Sequence, residues 1–422
     1  MPSVGRHRAA EMENRMKKIS ALALALSLVF ALAACAPGNV AVGLKRIERL
    51  EDPAPLDMAR SITEEEAKNS GVYVEEKRVS LAAVGDNLIH PQIYIDARNR
   101  SVAGGRAYNF KPTYEKVADM IASADIAFIN QETLMAGESF GYSGYPTFNS
   151  PQDLGYDLIE LGFDVISMAN NHMLDKRNAG YAATIDFWNS TEATMIGGYK
   201  NEEDFNTIRV IEKNDLKIAF LAYTEHTNGI SLTKGDDLVV PYFDEETIRR
   251  QTSRARELAD AVVVSMHWGD EDTQTVNANQ KKWAALLAEC EVDVILGGHS
   301  HTLQPIVELD RPSGAKTLCV YSLGNFVSGM ANAVNMAGGI LTFDIVRTEQ
   351  NVMEVQNVLL TPTVCHFGPS YYGSYIYYLK DYTDALASIH GIQVYGNRAS
   401  VAGLTKFVTN AIDAKYLPEE FK

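Results

Sequence analysis

One rhythm constrains this chain more than any other feature. Short, nearly continuous apolar runs recur, and each is closed by a polar cluster of His, Asn, Asp or Glu. The runs are Val79–Val84, Asp125–Ile129, Val165–Met168, Ile218–Tyr223, Ala261–Met266, Val292–Leu296 and Leu318–Ser322. Amphipathic helical patterns lie between them at Tyr114–Ser123, Gln152–Leu161, Gly180–Asn189, Glu245–Ala259 and Asn279–Glu289. Strands that lack polar alternation are buried on both faces, so helices must cover the sheet they form. The fold class is therefore α/β. In such folds the carboxyl ends of parallel strands share one rim, where ligands bind.

The residues just after each run carry the chemistry. Asp86 and His90 lie in Gly85-Asp86-Asn87-Leu88-Ile89-His90. Glu132 closes Asn130-Gln131-Glu132. Asn171 and His172 lie in Ala169-Asn170-Asn171-His172, with Asp175 three residues on. His267-Trp268-Gly269-Asp270, Gly297-Gly298-His299-Ser300-His301 and Gly324-Asn325 complete the set. Five of the nine histidines (His90, His172, His267, His299 and His301) fall at strand ends, which chance explains poorly. Imidazole with carboxylate and carboxamide oxygen, and no thiolate, suits a divalent ion such as Mn, Fe or Zn. The donors are too many for one tetrahedral ion and suit two ions sharing a carboxylate, an arrangement that binds an oxyanion and activates water.

The succession GDNLIH, NQET, ANNHMLD, HWGDED, GGHSHTLQP and YSLGNF, from Val79 to Ser328, resembles the CapA/PgsA family of poly-γ-glutamate capsule synthesis proteins. That family is similar in fold to calcineurin-like metallophosphatases. The resemblance implies a four-layered α/β/β/α sandwich, which local patterns alone do not distinguish from a doubly wound sheet. It also implies that Asp86, Glu132 and His301 hold one metal, and that Glu132, Asn171, His267 and His299 hold a second. His172, oriented by Asp175, takes the place of the general acid. His90 and Asn325 are further metal-site candidates. Two departures stand out: Leu88 occupies the position where these phosphatases usually carry a histidine, and Glu132 replaces the usual bridging aspartate.

The amino terminus sets location. Lys17 and Lys18 precede an apolar run from Ile19 to Ala34, 16 residues long. A spanning helix needs roughly 20, so the segment reads as a secretory signal, with Met16 as the expected start. It ends Leu32-Ala33-Ala34-Cys35, which looks like a bacterial lipoprotein box with Cys35 as the lipidated residue. The expected organisation is a signal over 1–35, a polar tether over 36–77, the main domain over 78–334, and a carboxy-terminal extension over 335–422. That extension holds two longer strand patterns, a tyrosine-dense stretch and a helix over Val401–Ala414, packing on the main domain. The expected place is outside the cytoplasm, lipid-anchored to the bacterial cell membrane.

Composition then narrows the partners. Against 54 acidic residues stand 38 Lys and Arg, a net charge of −16. Removing residues 1–34 leaves 33 basic and 52 acidic side chains, net −19. No basic surplus is available to displace counterions from a nucleic acid, which excludes that class of partner. Cys290, Cys319 and Cys365 form no CxxC motif,. The expected partners are the membrane, poly-γ-glutamate and membrane proteins of capsule synthesis. A −19 body repels a polyanion, so metal ions or a local basic patch must offset the repulsion. A metal-dependent phosphoesterase outside the cytoplasm and a non-catalytic tethered scaffold are the two other readings of the same residues.

The remaining segments are ambiguous at this level. The turn-rich loop Gly141-Tyr142-Ser143-Gly144-Tyr145-Pro146 suits either a rim contact or an exposed loop. His226 is expected at the rim, outside the ligand set. The tyrosines Tyr371, Tyr372, Tyr375, Tyr377, Tyr378 and Tyr382 suit core packing better than a polymer surface.

Overall fold

The computed structural model describes residues 74–422. The signal, Cys35 and nearly all of the tether lie outside the described residues. Among those residues no helix is long and apolar enough to cross a membrane.

Among the described residues fourteen strands form two sheets. The first half of the chain alternates β1 (Lys77–Asn87), α1 (Pro91–Asn99), β2 (Ile126–Asn130), α2 (Asp153–Glu160), β3 (Val165–Ser167), α3 (Arg177–Asn189) and β4 (Thr194–Ile196). A hairpin of β5 (Arg209–Lys213) and β6 (Leu216–Thr224) opens the second half. Its turn residues Asn214 and Asp215 both have positive φ (50° and 59°), the backbone a tight two-residue hairpin requires,. Then come α4 (Glu245–Leu258), β7 (Ala261–His267), α5 (Ala278–Glu289), β8 (Val294–Gly298), β9 (Leu303–Asp310), β10 (Lys316–Leu323) and β11 (Asn325–Val327). The chain ends with β12 (Ala337–Arg347), β13 (Met353–His366), β14 (Tyr375–Tyr378) and α6 (Val401–Ala411).

The first sheet runs in the order β14-β13-β12-β1-β2-β3-β4, with β11 pairing with β1, and the second in the order β5-β6-β7-β8-β10-β9. Alternate residues of the second sheet divide between two cores. Ala261 and Val263 of β7 face inward with Ile218, Phe220 and Leu296, in a cluster shared with the first sheet. Val262, Val264 and Met266 instead pack with Ile248 and Ala255 of α4 and with Trp283 and Leu287 of α5. The inner faces meet across the sandwich, where Ser167 Oγ of β3 lies 3.0 Å from Ser265 Oγ of β7. On the far side of the first sheet, Ile93 of α1, Leu158 of α2, and Ile185 and Trp188 of α3 are buried in the same cluster as Ile129 and Ile166. The layers are thus helix, sheet, sheet, helix, the four-layered α/β/β/α sandwich that the resemblance implies.

The helical stretch expected over Tyr114–Ser123 is broken into two short pieces, Lys111–Tyr114 and Ala118–Ala122. Between them Val117 is fully buried, and packing overrides helical continuity,. The residues after 335 do more than rest on the main domain: β12 lies antiparallel to β1, from Lys77 opposite Arg347 to Val84 opposite Ile340. Strand β1 therefore sits inside its sheet only because β12 covers it. Deleting residues 337–422 should expose that side of β1 and give an insoluble product without a cooperative urea transition. A soluble, cooperatively unfolding truncated chain would show the segment to be dispensable.

Candidate metal centre

Register places the rim residues. Asp86 of β1 stands opposite Asn130 of β2, and Asn130 opposite Ser167 of β3. In the second sheet His267 of β7 stands opposite Gly298 of β8. The parallel strands of both sheets end at the same edge, and the loops after β2, β3 and β8 carry Glu132, Asn171 and His299 to it.

Two local features let side chains crowd there. Both His299 and His301 adopt left-handed backbone conformations, with φ of 87° and 56°. Non-glycine residues rarely adopt this region, and the strain concentrates at functional sites. Gly298 is required by close approach: a Cβ there would lie 2.5 Å from Asp86 Oδ1 and 3.2 Å from Asn130 Nδ2.

The result is a buried cluster. His301 Nδ1 lies 3.0 Å from Asp86 Oδ2, and its Nε2 lies 3.7 Å from Glu132 Oε1. His267 Nε2 lies 3.3 Å from Glu132 Oε1 and 3.0 Å from Asn171 Oδ1. The His299 ring is 4.7 Å from that of His267. Glu132 and Asp86 have no exposed surface, and His267 and His301 are 2% exposed. Donor atoms of Asp86, Glu132 and His267 lie within 4.8 Å of one another, as do those of Glu132, His299 and His301. The two triplets overlap in Glu132, and His301 of one lies 3.0 Å from Asp86 of the other.

Electrostatics shows what the cluster lacks. Both Glu132 oxygens and His299 Nδ1 are buried without a hydrogen-bond partner. Burial pushes the Glu132 carboxyl well above the usual carboxylate range, against the pull of His301. Burial also holds His267 and His299 far below the ordinary imidazole value, as the neutral rings that ligate metals,. For His301 burial pulls downward too, but the Glu132 and Asp86 carboxylates outweigh it and raise the value to about 10. Orphaned carboxylate oxygens beside neutral imidazoles fit a divalent cation, which would satisfy both.

His172 stands next to this cluster. Its Nδ1 lies 2.8 Å from Asp175 Oδ2, and that same oxygen accepts the Phe148 amide at 2.6 Å. The His172 ring packs edge-on against Phe148 at 4.7 Å. His90 also packs edge-on against Phe148, at 5.1 Å, with its Nδ1 3.1 Å from both Leu88 O and Gly329 N. It belongs to neither donor group. Asn325 Oδ1 lies 3.1 Å from His301 Nδ1, placing Asn325 behind the histidine. The exposed His226 packs edge-on against His299 at 5.1 Å.

Sequence reasoning missed the residues that hold the donors in place. Asn130 Nδ2 donates to Asp86 Oδ1 at 2.7 Å and lies 3.3 Å from His267 Nδ1. Asn170 Oδ1 accepts the His172 amide at 3.0 Å. Asn335 Nδ2 donates to the His301 carbonyl at 3.2 Å and to Asp272 Oδ1 at 2.7 Å. Asn130 and Asn170 sit inside the strand-end motifs, so position gave a usable signal; Asn335 and Phe148 carried none.

Residues 80–330 match the family described as bacterial capsule synthesis protein PGA_cap. The chain belongs to that family. The PGA biosynthesis protein CapA of Bacillus subtilis is 32% identical over 172 residues, which is 40% of this chain and 44% of that protein. The capsule biosynthesis protein CapA of Bacillus anthracis is 28% identical over 172 residues, 40% of this chain and 41% of that protein. The matched region thus spans less than half the length of either relative. Among solved structures, the NAD nucleotidase NadN of Haemophilus influenzae is similar at a TM-score of 0.43 and 11% identity, covering 82% of this chain and 65% of that one. At that score the likeness carries no argument; the layered architecture stands on its own strand order.

A Gly298→Ala substitution places a methyl against the Asp86 carboxylate. It should weaken divalent-metal binding by about tenfold to a hundredfold, as losses around first ligands do, while the circular dichroism spectrum stays unchanged. Undiminished metal affinity would show that Asp86 is not held by this contact.

Proposed function

We propose that the chain is a metal-dependent hydrolase or group-transfer protein acting in the synthesis, attachment or export of poly-γ-glutamate capsule polymer. In this reading it sits outside the cytoplasm, lipid-anchored through Cys35 to the bacterial cell membrane after removal of the signal. The observation that carries the catalytic part is the buried cluster of Asp86, Glu132, His267, His299 and His301, with its unpartnered Glu132 oxygens. Those residues, with Asn171, would hold one or two divalent ions, Mn, Fe or Zn by donor type. When bound, such ions supply Lewis acidity and lower the pKa of coordinated water.

The chain's own residues supply the rest. Glu132, common to both donor groups, is the carboxylate that two ions would share. With Nδ1 engaged by Asp175, His172 keeps Nε2 as the atom that passes a proton to a leaving group,. The Phe148 amide and ring fix both partners, so the imidazole keeps one orientation.

The same His172–Asp175 pair supports a second reading, a phosphoesterase outside the cytoplasm. An imidazole acid beside cations matches the oxyanion that forms on a departing phosphoester oxygen. The scaffold reading draws on Leu88, which is 3% exposed and presents no donor where phosphatases carry one.

Elemental analysis of protein purified without chelator separates these readings. One to two equivalents of Mn, Fe or Zn, lost in Asp86→Ala/His301→Ala, are expected. No bound metal, even after soaking, would favour the scaffold. His267→Ala/His299→Ala should abolish turnover of γ-glutamyl polymer, or of phosphoesters if those prove to be the substrate, without unfolding the domain. His172→Ala should retain metal and lose turnover by about 10²- to 10⁴-fold; unaltered turnover would remove it from proton transfer.

A further inference from the structure

We propose that His226 is a ligand-contacting residue of the metal centre, its Nε2–H donating to the third terminal oxygen of a phosphomonoester group. Neither donor triplet includes this side chain. It is the one exposed histidine among the described residues, yet its ring packs edge-on against the buried His299 at 5.1 Å. The loop that carries it is tied to the centre on both sides. Thr224, the last residue of β6, stands opposite His267, and the Glu225 amide donates to the His267 carbonyl at 3.0 Å. Thr224 Oγ1 donates to the His226 carbonyl at 2.9 Å. Beyond His226, Asn228 Oδ1 accepts Asn171 Nδ2 at 3.3 Å, and Asn171 Oδ1 lies 3.0 Å from His267 Nε2. The Glu225 carboxylate is already engaged, by the Gly269 amide at 3.2 Å and Asn279 Nδ2 at 2.7 Å.

Backbone geometry decides which ring nitrogen is left for a ligand. Asn228 has a φ of 49°, and its amide donates to His226 Nδ1 at 3.4 Å. An amide nitrogen only donates, so Nδ1 is the accepting nitrogen and the ring hydrogen sits on Nε2. Among the described residues Nε2 has no hydrogen-bond partner. The oxygen count of the ligand then sets specificity. A carboxylate and a phosphodiester each offer two terminal oxygens, and both are spent when the group bridges a metal pair. A phosphomonoester offers three. Its third oxygen is left for a donor outside the buried cluster, and His226 is the exposed donor beside His299. A hydrogen bond to a charged oxygen is stronger than one between neutral groups, so a single N–H suffices to discriminate.

The inference rests on the phosphoesterase reading, and its test lets the two fail separately. The metal-loaded full chain is titrated calorimetrically with inorganic phosphate, dimethyl phosphate and acetate. His226→Phe keeps a ring against His299 and removes the donor. It should hold as much metal as the wild type, bind phosphate about tenfold more weakly, and bind dimethyl phosphate and acetate as before. His226→Gln, which restores an N–H, should recover most of the phosphate affinity. Unchanged phosphate affinity in His226→Phe overturns the assignment and leaves the metal centre standing. Equal losses for all three anions overturn the third-oxygen contact, and metal lost in His226→Phe overturns it by making the residue a metal ligand. A wild type that holds metal and binds no phosphate ends the phosphoesterase reading and this inference with it.

Discussion

Two carboxylates, Asp86 and Glu132, are buried side by side, and the surrounding structure is arranged to permit it. A buried carboxylate without compensation costs several kcal/mol. Asp86 is compensated within the chain: Asn130 donates to one oxygen, and the other receives the His299 amide at 3.1 Å and lies beside His301. Glu132 has no hydrogen-bonded partner of its own. The asymmetry has a structural origin. Asp86 lies at the end of a strand, within reach of Gly298 and Asn130, whereas Glu132 stands two residues beyond β2 and points into the space between the histidines. A cation held there would compensate it, which fits the donor set around it.

That arrangement binds distant parts of the sequence to one another. Asp86 can approach β8 only because residue 298 has no side chain. Strand β11 starts at Asn325, opposite Asp86, and sets that side chain behind His301. Asn335, at the threshold of β12, holds the His301 carbonyl and accepts from Asn325 Nδ2 through its own carbonyl at 3.1 Å. The segment that completes the first sheet therefore also braces the loop carrying two of the donors. Fold and centre are not separable along the chain, even though the ligand-bearing motifs end before it.

The strand rhythm made most of the architecture legible, because β6, β7, β8 and β10 are apolar on both faces and need two covering layers. The donors were legible for the same reason: each comes directly after an apolar run. Local patterns could not tell two packed sheets from one doubly wound sheet, since β7 looks the same in either. Short strands escaped as well. In β9, Val307 and Leu309 alternate with the polar Glu308 and Asp310 at an edge, and β4 has only three residues. The left-handed turns at His299 and His301 were not legible either, because a sequence does not announce positive φ at histidine. Tyr382 behaved as core, buried beside His366 with its hydroxyl 2.7 Å from Nδ1. Tyr371 and Tyr372 stand out in solvent, because the turn before β14 carries them past the sheet edge.

Charge bears on the centre as well. The chain carries −16, and Asp86 and Glu132 are buried together at the rim, so an anionic ligand meets repulsion there from the chain alone. A divalent cation held among Asp86, Glu132 and the histidines would reverse the sign of that region. Salt would confine the effect to about 10 Å, so the reversal would be local and the acidic surface beyond it would keep its own sign.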